Sequence, residues 1–200
     1  MKKIVIATKN EGKVREMKDA FTDFKVEVIS LKEFGDLPDA VEDGKTFEEN
    51  AKKKAAHYAS LTKTACLADD SGLEVEVLNN APGVYSARWG GEDATDDINN
   101  EKLIAEIKKL NKTTSPARYR CALAFIDTDN ASLLTEGKAE GEIRFTPKGK
   151  NGFGYDPYFY VGDITMAEMS LEEKNKISHR GLALKAMIKL LEEKGIIERK

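Results

Sequence analysis

Cysteine, histidine and tryptophan are scarce in this sequence, at two, two and one of 200 residues, and each scarcity removes a class of protein. The thiols, Cys66 and Cys121, each sit in an apolar run, so no disulfide framework is expected, only two buried thiols of a reducing cytoplasm. With His57 and His179 the only histidines and no CxxC, a structural zinc site is excluded. No stretch approaches the ~20 apolar residues of a membrane span. The opening Met1-Lys2-Lys3-Ile4-Val5-Ile6-Ala7 is too short for a signal-peptide core before the chain turns polar at Thr8-Lys9-Asn10. An excess of positive charge is also missing. Lys and Arg number 32 against 35 Asp and Glu, a net −3, so nothing draws the chain to a nucleic-acid backbone. What is present, 40% hydrophobic and 34% charged residues, is the balance of a folded chain. Residues 1–200 read as a single domain, or two closely joined lobes without a linker, belonging to a cytoplasmic enzyme or binding protein.

Strands and helices alternate early and strands cluster mid-chain, which predicts an α/β fold with a mixed sheet. Lys3 to Ala7 reads as a buried strand, followed by a helix striped by Val14, Met17 and Phe21. Val26 to Ser30 is a strand and Gly35 to Pro38 a loop. Thr46 with Glu49 has the form of a capping box. The helix it opens turns Phe47, Ala51, Ala55 and Tyr58 inward and Lys52, Lys53 and Lys54 across its other faces. Thr64 to Ala68 is a buried strand that runs into Asp69-Asp70-Ser71-Gly72, and the alternation of Leu73, Val75 and Val77 predicts a half-exposed strand beyond it. A loop at Asn79 to Gly83 precedes a helix over Asp97 to Leu110. Strands follow at Arg118 to Ile126, Leu133 to Glu136 and Glu140 to Phe145, with a turn over Asp127 to Ala131. A glycine-rich loop covers Gly149 to Pro157, Ser170 with Glu173 caps a short helix, and the last helix runs from near Gly181 to near Gly195.

Four segments carry possible chemistry. Thr8-Lys9-Asn10-Glu11-Gly12-Lys13 lies between a strand and a helix N-terminus, an anion site strengthened by a lysine, or else an ordinary turn with a surface lysine. Asp69 and Asp70 place adjacent carboxylates after a buried strand, which repel unless a cation joins them. Oxygen ligands alone favour Mg²⁺ or Mn²⁺; the other reading has one Asp capping a turn and one facing water. The run Lys148 to Pro157 is not a Walker A loop, but its glycines would expose Phe153 for base stacking. Lys174 with Ser178-His179-Arg180 offers cations for a triphosphate, or a charged helix surface. Arg88 and Trp89 read as packing and interface residues.

Together these segments resemble one family, the inosine/xanthosine triphosphate pyrophosphatases, house-cleaning enzymes that remove non-canonical purine nucleotides. The motifs are Ala7-Thr8-Lys9-Asn10 with Lys13 and Glu16, Phe47-Glu48-Glu49-Asn50-Ala51, and Ala68-Asp69-Asp70-Ser71-Gly72-Leu73. Ala81 to Arg88, Gly152-Phe153-Gly154-Tyr155-Asp156-Pro157 and Ser178-His179-Arg180-Gly181 complete them, in the family's order. Two departures stand out. Asn151 replaces a frequent glycine, as a residue that tolerates left-handed angles, and Val161 to Thr165 is shorter than usual and lacks a proline.

The resemblance implies two α/β lobes around a long mixed sheet with flanking helices, a substrate cleft between the lobes, and a homodimer. The implied reaction is hydrolysis of ITP, dITP, XTP or dXTP between the α- and β-phosphates, giving monophosphate and pyrophosphate by direct attack of water. Carried over residue by residue, Asp70 is the proton acceptor and Glu42 with Asp70 the Mg²⁺ site, for one or more ions, with Asp69 and Glu49 in support. Thr8, Lys9, Asn10, Glu11, Gly12, Lys13, Ser71, Phe153, Gly154, Tyr155, Asp156, Lys174, His179 and Arg180 bind substrate. Phe153 would stack on the base while main-chain N–H groups near Tyr155 and Asp156, with Arg180 or His179, donate to O6. A phosphatase, a pyrophosphatase for ordinary triphosphates, and a non-catalytic nucleotide sensor are the alternatives. Carboxylates facing an anionic ligand argue against the sensor.

Overall fold

The computed structural model describes Met1–Asp129 and Ala131–Lys200; the turn expected over Asp127 to Ala131 includes Asn130, which lies outside the described residues. The chain divides into two compact units, the first made of Met1–Asp70, Cys121–Gly137 and Arg180–Lys200, the second of Ser71–Arg120 and Lys138–His179.

In the first unit, β1 (Lys2–Ile6) is parallel to both β2 (Val26–Ser30) and the start of β3 (Ala65–Val75), with Ile4 opposite Val28 and Ala65. Successive side chains of a strand point to opposite faces, and Ile4, Val5 and Ile6 are all fully buried, so both faces of β1 are covered and its sequence runs on without a polar interruption. Helices α1 (Glu11–Ala20) and α2 (Phe47–Thr62) form the connections, and parts of β5 (Thr114–Ile126) and β6 (Ser132–Arg144) extend the order to β2-β1-β3-β5-β6. Ile4, Met17, Leu67, Phe125, Leu184 and Leu191 meet in its core.

The second unit holds the end of β3, paired antiparallel with β4 (Ala81–Pro82), then α3 (Asp96–Lys109), the start of β5 and the end of β6. Beyond β6 come β7 (Phe159–Val161) and β8 (Ile164–Thr165), all antiparallel, and then α4 (Leu171–Ile177). Leu73, Leu103, Ile107, Ile143, Tyr155 and Phe159 form its core. The last helix, α5, spans His179–Glu193, and its residues from Arg180 belong to the first unit. Parallel and antiparallel pairing coexist, so the mixed α/β class is the one present.

Several boundaries differ from the sequence reading. β3 does not end at Ala68 but continues through Asp69-Asp70-Ser71-Gly72 to Val75, and Val77 lies in a 3-10 turn, not a strand. Leu133 to Glu136 and Glu140 to Phe145 are one strand, β6. Asn79 to Gly83 contains β4. Local propensity disfavours Asp and Gly in strands, and tertiary partners override it here. Thr46 Oγ1 does accept from Glu49 N at 3.2 Å, but the Glu49 carboxylate accepts from Lys45 N at 2.7 Å, one residue outside the expected box.

Candidate active site

The first unit gathers charge around the middle of β3. Asn10 caps α1, its Oδ1 accepting from Lys13 N at 3.1 Å, and Thr8 Oγ1 accepts from Asn10 N at 3.2 Å. That cap fixes the first turn of α1 and sends the Lys13 ammonium inward, 2.9 Å from Asp69 Oδ2. Lys9 and Glu11 turn away instead, to Asp39 at 2.7 Å and to Lys32. Asp69 also receives Arg180, through Nη2 at 3.1 Å and Nε at 3.3 Å, while Arg180 Nη1 donates to Glu16 Oε2 at 2.5 Å. Arg180, at 1% exposure, is held between two carboxylates. Burial alone would raise the Asp69 pKa, but Lys13, Arg180 and Lys54 together hold it well below the usual carboxylate range.

Asp70 is different because it is the next residue on a strand. Successive side chains point to opposite faces, so the two carboxylates make different hydrogen bonds, while the charges of Lys13 and Lys54 act on both, as adjacency suggested. Asp70 faces Asn50 and Lys54 of α2. Asn50 Nδ2 donates to Asp70 Oδ2 at 3.0 Å while its Oδ1 accepts from Gly44 N at 2.7 Å, which fixes the amide. Lys54 Nζ lies 2.7 Å from Glu42 Oε2 and donates to the Asp69 carbonyl at 3.0 Å. Burial pushes the Asp70 carboxyl up to about 6, against the pull of Lys54, Lys13 and the Asn50 bond, and Glu42 adds to the rise. Lys54, expected on an outer face, is 8% exposed. Its place seven residues after Phe47, on the stripe of Phe47, Asn50, Ala51, Ala55 and Tyr58, was the available signal. Glu49 is exposed at the helix start.

The donor chemistry suits Mg²⁺. Glu42 is near enough to raise Asp70, a like-charge conflict that a hard cation relieves. Among the described residues no group of three or more His, Cys, Asp or Glu is placed to hold a metal ion. One or two carboxylates plus water and substrate phosphates is how Mg²⁺ is usually held.

The second unit builds a separate cluster on the glycine-rich loop. Asp156 Oδ2 accepts from Phe153 N at 3.0 Å and from Lys174 Nζ at 2.8 Å. Lys174 also sits 4.7 Å from the Phe153 ring centroid, a cation–π contact. A Cβ at Gly152 would lie 2.1 Å from Asp156 Oδ2, so this turn admits only glycine. Asn151 is not at positive φ as its substitution for glycine suggested; its side chain instead donates to Met169 O at 3.1 Å. Tyr155 Oη donates to Ser86 O at 2.7 Å. His179 stacks on Tyr119, 4.6 Å between centroids and 13° between planes, and Ser71 stands half-buried on β3. Lys174 and His179, expected among the substrate groups, are both buried, at 4% and 5% exposure. Tyr119 had no signal of its own in the sequence beyond its place in a strand.

A family model described as the Ham1 family matches residues 4–190. The chain belongs to the Ham1 family. Ham1 relatives are similar over nearly all of it. The dITP/XTP pyrophosphatase of Desulfotalea psychrophila is 50% identical over 183 residues, 90% of this chain and 81% of that one. The dITP/XTP pyrophosphatase of Bacillus licheniformis is 49% identical over 195 residues, 96% of this chain and 100% of that one. A solved structure of a HAM1 protein from Coxiella burnetii superposes with a TM-score of 0.87 at 43% identity, covering 96% of this chain and 100% of that one. Among the described residues of this Ham1 chain, no helix is long and apolar enough to cross a membrane.

Proposed function

We propose that this Ham1 chain hydrolyses the deaminated purine nucleoside triphosphates ITP, dITP, XTP and dXTP to the monophosphate and pyrophosphate. The observation that carries the reading is its match, along 96% of its length, to a relative named dITP/XTP pyrophosphatase. The chemistry is hydrolysis of the α–β phosphoanhydride bond. Water attacks the α-phosphorus, Asp70 takes its proton, and pyrophosphate leaves. A carboxyl raised to about 6 is ionised at neutral pH yet more basic than a free aspartate, which suits a general base. Lys13, held by Asp69 at the N-terminus of α1, brings positive charge toward phosphate oxygens. Glu42 and Asp70 would hold Mg²⁺, or Mn²⁺ in its place, which when bound neutralises developing phosphate charge. In the second unit, Phe153 supplies a stacking face for the purine. With Arg180 engaged by Asp69 and Glu16, the donors for O6 are His179 and the main chain near Tyr155 and Asp156. The same reading carries a homodimer and a cytoplasmic place of action.

The test is a nucleotide panel assayed for phosphate with and without added inorganic pyrophosphatase. Phosphate should appear only with the auxiliary enzyme, and ¹⁸O-water should label the monophosphate. Label in pyrophosphate, or a diphosphate product, overturns the proposal. Chelation should abolish turnover and Mg²⁺ restore it.

A further inference from the structure

The Phe153–Asp156 segment is held from a second direction, by a helix that the activity has not so far used. Thr95 caps α3, its Oγ1 accepting from Ile98 N at 3.3 Å, so Asp96 opens the first turn. Asp96 lies outside that cap's own bonding and reaches across 58 residues of sequence, its Oδ2 accepting from Gly154 N at 2.6 Å. One helical turn later on the same face, Asn100 Nδ2 donates to Gly154 O at 2.9 Å. The two side chains therefore grip the peptide groups on either side of a single residue. Gly154 has φ +65°, in the left-handed region, with nothing within 4 Å of where a Cβ would be. Its conformation is thus set by what holds its peptides and not by crowding. Asn100 is 5% exposed, and its Oδ1 is buried with no hydrogen-bond partner among the described residues. A buried amide that leaves one end unsatisfied is costly to keep, and the bond to Gly154 is what it gains in return.

We propose that Asp96 and Asn100 are positioning residues that fix the Gly154 peptides and so set the orientation of the Phe153 ring for substrate. This rests on the proposed function, in which Phe153 meets the purine. Neither residue touches the substrate in this account; both act through Gly154. The bond needs an oxygen acceptor at position 96, whereas the negative charge there only complements the positive end of α3. The two roles separate by substitution. Asp96→Ala loses both, and Asp96→Asn loses the charge but keeps a carbonyl oxygen.

The experiment compares wild type, Asp96→Ala and Asp96→Asn by steady-state kinetics on ITP, thermal melting and the ¹⁵N–¹H resonance of Gly154. Asp96→Ala should raise KM about tenfold with kcat changed less than about threefold, the pattern of lost substrate positioning, and should shift the Gly154 amide resonance and speed its hydrogen exchange. Asp96→Asn should recover KM to within about threefold although it lacks the charge, and should melt no lower than Asp96→Ala, whose bond is also gone. KM unchanged in Asp96→Ala, or a loss tracking melting temperature that Asp96→Asn does not recover, overturns the proposal. If wild-type protein fails to hydrolyse ITP, the proposed function falls, and the Gly154 exchange rates still decide whether the helix holds this loop.

Discussion

Asp69 and Asp70 occupy neighbouring positions yet carry opposite electrostatics, and their substitutions should behave oppositely. Asp69 is wholly buried and gathers Lys13 and Arg180, so Asp69→Asn leaves Lys13 without its ion-pair partner and the buried Arg180 with Glu16 alone. The expected loss is ~3–5 kcal/mol, read as a lower denaturation midpoint in urea. A loss below about 1 kcal/mol would show that the network adds little to folding. Asp70 has its pKa raised from 3.8 to about 6, so folding favours its protonated form. Its cost is absent below the unfolded pKa, grows as pH rises between the two values, and is full above about 6. Asp70→Asn should therefore stabilise the metal-free protein at neutral pH, by up to ~3 kcal/mol, with the gain vanishing near pH 4. The same variant should lose about 10²–10⁴ in kcat if Asp70 is the base. Near-wild-type turnover would remove Asp70 from that role.

Helix α2 sends Asn50 to the Asp70 carboxylate and Lys54, four residues on, to the Asp69 carbonyl of β3. Helix α3 likewise sends Asp96 and Asn100 to Gly154. In each case the 3.6-residue period places two polar groups on a face otherwise used for packing. The electrostatic part of α2 is testable by Lys54→Met, a change that keeps length and helix propensity. Lys54 lowers the Asp70 pKa, so its loss lets burial and Glu42 carry that pKa higher. The acid limb of kcat/KM should move to higher pH in a pH–rate profile. An acid limb that stays in place would mean that Lys54 does not govern the ionisation of Asp70.

At the scale of the molecule, the charge balance is the informative quantity. A net charge of −3 gives no counterion-release drive toward nucleic acid. Titration against duplex DNA by fluorescence anisotropy at physiological salt should show no binding at micromolar protein. Saturable binding that weakens steeply with added salt would contradict this. Light scattering on the purified protein should give twice the 22.2 kDa chain mass, in keeping with the proposed homodimer, and a single-chain mass would end that proposal.

The sequence by itself determined the α/β class, because uninterrupted apolar runs such as Ile4 to Ala7 and helical stripes such as Val14, Met17 and Phe21 are local patterns. It also determined the order of the chemical segments, the caps at Ser170 and Thr46, and the burial of Cys66 and Cys121, whose thiols burial pushes up to about 11 and about 12. The resemblance implied the role of proton acceptor for Asp70. What only the tertiary structure decided is how charged groups are shared. Sequence adjacency made Asp69 and Asp70 one repelling pair, but their strand continues, and its alternation gives Asp69 the ion pairs with Lys13 and Arg180 and Asp70 the bond from Asn50. Lys54 and Arg180 look like surface cations until their carboxylate partners, up to 164 residues away in the case of Glu16, are in place. Asp96 and Asn100 read as ordinary residues of a helix start until Gly154 arrives 54 to 58 residues later in the chain. Periodicity is short-range and can be read from a window of sequence; the partner of a buried charge is set by the packing of distant segments.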